Sequence, residues 1–246
     1  MTYVTSDLHG YPLSLFIRLL DKAGFTAEDT LIVLGDVIDR NGDGGVAMLR
    51  WMISQANVRL IRGNHEQMFI NSLFLFADDL AERAEKLTSE EIWSLYAWKQ
   101  NGADATLDAL RELLASDRPA FEQLRDAVLA TPLYLTLTVN GKEYILTHSG
   151  LGNYAPEKTL EEYTDDELLW TRPTPEDRYD PEKTVVFGHT PTGYYGREYA
   201  DRMLRTPTWI DIDTGAAGGR APMLLRLEDE KPFYGEIPEE REESIK

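Results

Sequence analysis

Residues 31–40 read LIVLGDVIDR, a short apolar run that ends in the polar cluster Gly35–Arg40. A run of this length, closed by polar residues and glycine, is typical of a buried strand followed by a loop. The same pattern recurs along the chain and predicts further strands. The predicted strands are Leu31–Leu34, Tyr3–Ser6, Val58–Ile61, Tyr144–Thr147, Thr184–Phe187 and Trp209–Ile212.

Helical patterns separate the early strands. One apolar stripe with helical spacing begins at Leu13, after Pro12, a residue that suits a first helical turn. A second stripe runs from Val46 to Ile53. Strand and helix alternate in this way up to residue 76, which predicts an α/β architecture.

Strand patterns return after residue 131. Leu133–Val139 alternates apolar residues with Thr, and Asn140-Gly141 predicts a type I′ hairpin turn before the next strand. Met223–Leu227 and Phe233–Ile237 are predicted as the last strands. We expect residues 1–246 to form a single domain, with the acidic residues 238–246 as a solvated, flexible tail.

Residues 78–130 are predicted to form a helical insertion, because charged residues alternate there with Leu, Ala and Trp at helical spacing. Thr88 with Glu91 fits a capping box, and Asp117 before Pro119 predicts a second helix start. Two interpretations are open. The insertion shapes one wall of the functional site, or it is a solvated helical pair without contact to substrate.

The composition narrows the classes of function. The 246 residues include 43 acidic and 25 basic ones, a net charge of −18, which argues against broad binding to nucleic acid or anionic membrane. With 0 cysteines, disulfides, thiolate metal sites and cysteine nucleophiles are excluded. No apolar run is long enough to span a membrane, and the N-terminus does not resemble a secretion signal, so we expect a cytoplasmic protein.

The 4 histidines all follow predicted strands. They are His9, His65, His148 and His189, and each has Gly, Asn, Asp, Ser or Thr beside it. Ligands of open α/β sheets bind outside the carboxyl ends of the strands, so we expect these clusters and Asp36 to converge on one site.

These residue types suit two divalent cations. Asp7 and His9 are two positions apart and can reach one ion, and Asp36 could bridge to a second. Oxygen and imidazole ligands for the second ion are supplied by Asn64, His148 and His189. Mixed carboxylate, amide and imidazole ligation suits Mn, Fe or Zn.

These motifs resemble those of the calcineurin-like metallophosphoesterases, over residues 3 to about 227. Arg40 after Asp39 and Glu66 after His65 narrow the resemblance to the PPP family of serine/threonine protein phosphatases. Segments Leu168–Arg172, Asn101–Leu107 and Asp211–Gly215 are similar to those of its bacterial and phage members. The implied fold is a four-layer α-β-β-α sandwich, with the helical insertion around residues 78–130.

The resemblance also implies a role for each site residue. The first metal would be held by Asp7, His9 and Asp36, and the second by Asp36, Asn64, His148 and His189. His65 would protonate the leaving oxygen, oriented by Asp39. The substrate-binding residues would be Arg40, Arg172 and Asn64, although a surface salt bridge is the ordinary alternative for Arg172.

The implied activity is metal-dependent hydrolysis of phosphomonoesters by direct attack of a metal-bridging hydroxide. The expected substrates are phosphoserine and phosphothreonine proteins or small phosphoesters, and the expected cofactor is a pair of Mn²⁺ ions, with Fe or Zn as alternatives. A symmetrical dinucleoside tetraphosphate hydrolase shares this core and is the nearest alternative. A catalytically inactive phosphoprotein-binding module is a further one.

Three features of the sequence do not fit this interpretation directly. Ser6 and Asn41 stand where the family usually has Gly; we expect the small Ser6 to pack normally and Asn41 to tolerate positive φ. The loop Gly193–Arg202 has no clear counterpart, so it does not predict a substrate preference. Asp211-Ile212-Asp213-Thr214 also occurs in aspartyl-phosphate enzymes, but in those most of a domain follows the motif.

Overall fold

The computed structural model describes residues 1–239, without the side chains of residues 83 and 84. Ten strands are found in that part of the chain. They are β1 (Thr2–Thr5), β2 (Thr30–Val33), β3 (Val58–Leu60), β4 (Tyr134–Val139), β5 (Lys142–Thr147), β6 (Lys183–Phe187), β7 (Leu204–Arg205), β8 (Trp209–Asp211), β9 (Met223–Arg226) and β10 (Lys231–Tyr234).

Eight α-helices accompany these strands within residues 1–239, together with several 3₁₀ turns. They are α1 (Leu13–Ala23), α2 (Val46–Ser54), α3 (Asn64–Asn71), α4 (Leu80–Arg83), α5 (Ser89–Gln100), α6 (Asp104–Ser116), α7 (Arg118–Leu129) and α8 (Asp165–Leu169). None of these helices combines the length and the apolar composition needed to cross a membrane.

The strands form two mixed sheets of five. The first has the order β10-β9-β1-β2-β3, in which β1, β2 and β3 are parallel. The second has the order β4-β5-β6-β8-β7, in which β5, β6 and β8 are parallel. Val4 and Ile32 of the first sheet pack with Leu146 and Val186 of the second in one buried cluster, so the two sheets face each other as a sandwich.

The outer layers of the sandwich differ in thickness. The first sheet is covered by α1, α2 and the helices of the 78–130 segment, which share a large apolar core with Tyr3 and Leu31. On the second sheet, Val185 and Phe187 pack under α8 and the loops around Leu151 and Tyr163. The predicted four-layer α/β architecture is therefore confirmed, with a thin outer layer on the second sheet.

Most predicted strands agree with the observed ones to within two residues, but the predicted Phe233–Ile237 ends three residues beyond β10, and the two-residue β7 was not predicted. Asn140 and Gly141 both have positive φ, 51° and 79°, as a type I′ turn requires. Thr88 caps α5 by accepting a hydrogen bond from the Glu91 amide, so the predicted capping box is confirmed. Residues 240–246 of the predicted acidic tail lie outside the described residues.

Candidate active site

All four histidines lie at carboxyl ends of strands and converge where the two sheets meet. Each is at most 6% exposed, although histidine is a polar residue. Beside them lies a small cavity of about 90 Å³. It is lined by Asp7, His9, Asp36, Arg40, Asn64, His65, Asn101, Trp170, Arg172, His189, Pro191, Asp213 and Ala217.

The backbone at this point is strained. Positive φ angles occur at ten non-glycine residues of the described chain, and six of them belong to this site. The six are Asp7, His9, Asp36, Asp39, Arg40 and His189, with φ between 42° and 77°. Residues other than glycine adopt such angles at a cost of about 1–3 kcal/mol each, and sites of function are where this strain typically collects.

In one half of the site, hydrogen-bond acceptor atoms of neighbouring side chains surround Nε2 of His148. Its Nδ1 lies 2.7 Å from the Leu34 carbonyl oxygen, which can only accept, so Nδ1 carries the proton and Nε2 does not. That Nε2 lies 2.8 Å from Oδ1 of Asn64 and 3.5 Å from Oδ2 of Asp36. The Nδ1 of His189 lies 2.9 Å from the same Asn64 oxygen.

The other half of the site is built in the same way around His9. Its Nδ1 donates to the Ile38 carbonyl at 3.0 Å, which leaves Nε2 unprotonated. The Nε2 faces Asp36 Oδ2 at 3.5 Å and Asp7 Oδ1 at 3.8 Å. Asp36 Oδ2 is thus equally far from the free nitrogens of His9 and His148, and Asp36 belongs to both groups of potential cation ligands.

This donor set fits bound cations. Hydrogen-bond acceptors face one another in both halves, an arrangement that is repulsive unless a cation lies between them. Burial and the nearby Asp7 and Glu66 carboxylates raise the pKa of Asp36 well above its usual value, so its charge needs compensation. Burial lowers the pKa of His148, which keeps the imidazole neutral and able to coordinate. Two overlapping groups could hold an ion, His9 with Asp36 and His65, and Asp36 with His148 and His189.

His65 lies between these groups and a buried carboxylate. Its Nδ1 is 2.6 Å from Oδ2 of Asp39, and its Nε2 is 3.8 Å from Asp36 and 3.2 Å from the Arg40 guanidinium. Burial lowers the pKa of His65 well below its usual value and raises that of Asp39 to about 6. In this geometry His65 is neutral, with its proton on Nδ1. The position of Nε2 makes His65 a geometric candidate for the first metal group, a role for which the sequence predicted Asp7 and not His65.

Arg40 and Arg172 both line the cavity without a carboxylate partner. Neither guanidinium has an acidic oxygen within 4.0 Å among the described residues, so Arg172 does not form the surface salt bridge considered as its alternative. One Nη atom of Arg172 donates to the His189 carbonyl and to Thr190 Oγ1, both at 3.1 Å. The two arginines therefore present positive charge to the cavity mouth.

The sequence did not predict a structural role for Glu66. Its fully buried carboxylate accepts hydrogen bonds from the amides of Gly63, Asp36 and Val37, at 2.8–2.9 Å. It thereby ties the loop after β2 to the start of α3. One sequence feature could have predicted these hydrogen bonds. Glu66 lies three residues after Gly63 at a helix start, a position from which Glu commonly accepts hydrogen bonds from preceding backbone amides.

Asp213 and Trp170 were also missed as residues lining the cavity. Asp213 is 2% exposed and accepts a hydrogen bond from the Gly215 amide at 2.8 Å. The Trp170 ring packs edge-on against His189, with centroids 5.8 Å apart. Asp211, the would-be nucleophile of an aspartyl-phosphate enzyme, is 0% exposed and does not line the cavity. Its burial argues against that alternative.

The two departures from the usual motif have different consequences. Ser6 packs normally, and its hydroxyl donates to Asp7. Asn41 does not adopt positive φ, so its tolerance of such angles is not called upon; Asp39 and Arg40 carry the positive angles instead. The turn is retained because the Asn41 side-chain amide donates to the His9 carbonyl at 2.8 Å and to two carbonyls of residues 216–217.

Comparison with known proteins supports this picture. The model of the calcineurin-like phosphoesterase family matches residues 2–213. Serine/threonine-protein phosphatase 1 of Salmonella typhimurium is 26% identical over 239 residues, which cover 92% of this chain and 91% of that protein. The symmetrical bis(5′-nucleosyl)-tetraphosphatase of Salmonella paratyphi B is 43% identical over 67 residues, 26% of this chain and 23% of that protein.

A solved structure supports the fold independently. The crystal structure of a protein assigned provisionally as a diadenosine tetraphosphatase superposes with a TM-score of 0.61 at 15% identity, covering 95% of this chain and 91% of that one. The family match spans both sheets up to Asp213, and the converging Asp, Asn and His side chains provide the ligand types that its divalent metal ions require. The chain therefore belongs to the calcineurin-like phosphoesterase family and is similar over nearly its whole length to a PPP-type serine/threonine protein phosphatase.

Proposed function

We propose that this protein is a phosphomonoester hydrolase that removes phosphate from phosphoserine and phosphothreonine proteins. The observation that carries the proposal is the arrangement around the small cavity. Two overlapping groups of potential cation ligands, a neutral histidine with a buried carboxylate behind it, and two arginines without acidic partners among the described residues lie together at this cavity. The full-length similarity to a serine/threonine phosphatase supports the substrate class.

Two divalent cations, most suitably Mn²⁺, belong to this proposal. Asp7, His9 and Asp36 would hold one, and Asp36, Asn64, His148 and His189 the other. Bound ions of this kind supply Lewis-acid activation of water and charge compensation at the phosphoryl oxygens. The protein's contribution is to keep the imidazoles neutral, through the carbonyls that accept from His9 and His148, and to hold Asp36 between the two groups.

His65 is proposed as the group that protonates the leaving oxygen. Because its Nδ1 proton is held by Asp39, Nε2 is the atom that exchanges a proton with substrate, and it faces the cavity. In the neutral form Nε2 has no proton to give, so the ring must first take one up from solvent; the Asp39 carboxylate behind it stabilises this imidazolium until Nε2 transfers the proton to the leaving oxygen. General acid catalysis of this kind typically contributes about 10²–10⁴-fold to the rate.

Arg40 and Arg172 are proposed to bind the phosphoryl oxygens. Their guanidinium groups can donate two parallel hydrogen bonds to a phosphate, and neither is neutralised by a carboxylate. Asn64 is proposed to serve as a metal ligand and, through its amide nitrogen, as a donor to substrate. Ion pairs between the phosphoryl oxygens and the two arginines offset the electrostatic repulsion expected between an anionic substrate and a protein with a net charge of −18.

A symmetrical dinucleoside tetraphosphatase is the second candidate, favoured by the 43% identity over 67 residues with such an enzyme. One experiment distinguishes the two. The manganese-loaded protein is incubated separately with a phosphothreonine peptide and with diadenosine tetraphosphate, and orthophosphate and nucleotides are quantified. We expect orthophosphate from the peptide at a higher kcat/KM. Adenosine diphosphate as the main product, with an inert peptide, would support the second candidate, and no turnover of either would support a binding module.

A further inference from the structure

The carboxylate of Asp39 is held from two sides. On Oδ2 it accepts from His65, and the indole Nε1 of Trp98 donates to the same oxygen at 2.8 Å. On Oδ1 it accepts from the hydroxyl of Thr106 at 2.6 Å. The side chains of all four residues are at most 1% exposed. Trp98 lies in α5 and Thr106 in α6, so both additional donors come from the helical insertion.

The insertion also binds the backbone next to this carboxylate. The Arg40 amide donates to the Gly102 carbonyl at 2.9 Å, and the Asp39 amide lies 3.0 Å from Thr106 Oγ1. Asp39 and Arg40 have φ angles of 77° and 72°, which side-chain-bearing residues adopt only when their surroundings hold them there. The loop between α5 and α6 supplies part of that restraint.

The contact between the two segments is close. A Cβ atom added to Gly44 would lie 2.3 Å from the Thr106 amide nitrogen, and one added to Gly102 would lie 3.3 Å from Cα of Arg40. Backbone therefore packs directly against backbone on both sides of the Asp39–Arg40 turn. Neither segment can shift without displacing the other, which is the condition for precise placement of a side chain.

We propose that Trp98 and Thr106 are positioning residues that fix the Asp39 carboxylate against His65, so that the helical insertion completes the catalytic apparatus of the sheet sandwich. This inference rests on the proposed function of His65. With both oxygens engaged by rigid donors, the carboxylate cannot rotate, and the His65 ring is held in the orientation that directs Nε2 into the cavity. Of the two interpretations of residues 78–130, this is the one in which the insertion shapes the site.

The test uses substitutions that remove each donor: Thr106→Val keeps the shape of the side chain and loses the hydroxyl, and Trp98→Phe keeps an aromatic ring, although a smaller one, and loses the indole N–H. Thr106→Val and Trp98→Phe are each compared with a matched control, Thr206→Val and Trp93→Phe. Thr206 is a buried threonine in the turn between β7 and β8, bonded to Trp209, and Trp93 is an exposed residue of α5. We expect Thr106→Val and Trp98→Phe to lower kcat on a phosphoserine peptide roughly tenfold, as partners behind a reacting group typically do. The controls should stay near wild type, and Thr106→Ser, which retains the hydroxyl, should restore most of the activity.

A double-mutant cycle separates positioning from general destabilisation. If Thr106 acts through His65, Thr106→Val has no further effect on kcat in a His65→Asn protein, whereas a merely structural role lowers kcat by the same factor in both backgrounds. The same holds for Trp98→Phe. Equal factors in both backgrounds, or full activity of the single variants, would overturn the inference.

The double-mutant cycle can still be run if the proposed substrate class is wrong. A wild-type protein that hydrolyses diadenosine tetraphosphate and not phosphoserine peptides contradicts the proposed substrate class. The cycle is then run with diadenosine tetraphosphate, and non-additivity between Thr106→Val and His65→Asn still decides whether Thr106 acts through His65. If no substrate is turned over, both the proposed function and the inference are contradicted.

Discussion

Oδ2 of Asp36 lies 3.5 Å from Nε2 of His9 and 3.5 Å from Nε2 of His148, although the two histidines follow strands of different sheets. Both imidazole nitrogens are unprotonated because the opposite ring nitrogens donate to backbone carbonyls. A single carboxylate thus connects two lone-pair clusters. This placement is what a bridging ligand between two cations requires.

Replacement of Asp36 should therefore affect both metal groups together. Elemental analysis of the manganese-loaded wild type should approach two ions per chain, and Asp36→Asn should fall below one, because the shared charged ligand is lost. Asp108→Asn removes the same charge from an exposed position of α6 and should retain the wild-type content. A wild-type content that settles at one ion, with full activity, contradicts the two-cation arrangement.

Arg172 should contribute to substrate binding and turnover and little to the stability of the fold. Arg172→Ala should lower kcat/KM roughly 10- to 100-fold, the range expected for lost hydrogen bonds to a charged group. Its melting temperature should fall only slightly, because the residue is exposed, forms no ion pair among the described residues and loses only the two hydrogen bonds of one Nη atom. Arg172→Lys should not restore activity, since an ammonium cannot donate a parallel pair of bonds.

The matched control for Arg172 is Arg111→Ala, a similarly exposed arginine of α6. Steady-state kinetics and thermal unfolding of the three variants are measured in the same buffer. A large loss of stability in Arg172→Ala, together with normal kinetics, would assign Arg172 to the fold.

Glu66 should stabilise the loop that presents Asp36. Glu66→Gln leaves one oxygen to accept and turns an NH₂ group towards the amides of Gly63, Asp36 and Val37. Unsatisfied buried groups cost about 1–3 kcal/mol each, so the free energy of unfolding should fall by about 3 kcal/mol in the presence of a chelator. Denaturant unfolding checks this, with Glu112→Gln on the exposed face of α6 as the control. An unchanged free energy of unfolding would show that these hydrogen bonds do not hold the loop.

The sequence predicted the parts of this molecule that depend on local patterns. Apolar runs closed by Asp, Asn, His and Gly identified the strands and the ends at which His9, His65, His148 and His189 lie. The rule that parallel strands present their carboxyl ends together then predicted that these side chains meet. No contact between distant segments was needed for that step.

Contacts between distant segments could not be predicted in the same way. Trp98 lies 59 residues from Asp39, and its helical spacing marks it only as a core residue. The sequence indicated only that Asn41 could tolerate positive φ; it did not predict that its side chain donates to three carbonyls or that Asp39 and Arg40 have the positive angles. Burial of Asp213 beside the cavity likewise depends on how the second sheet packs on the first.

The most direct test of the account concerns His65. If His65 protonates the leaving oxygen, His65→Asn should lower kcat about 10²–10⁴-fold on a phosphoserine peptide, whose alkoxide leaving group needs a proton. The loss should be visibly smaller on p-nitrophenyl phosphate, whose leaving group is stable as an anion, and metal content should remain that of wild type. Asp39→Asn should show the same dependence on leaving group with a smaller amplitude. Equal losses on both substrates would contradict the account, because they would show that His65 does not protonate the leaving oxygen. A metal ion missing from His65→Asn would also contradict it and would make His65 a ligand beside His9 and Asp36.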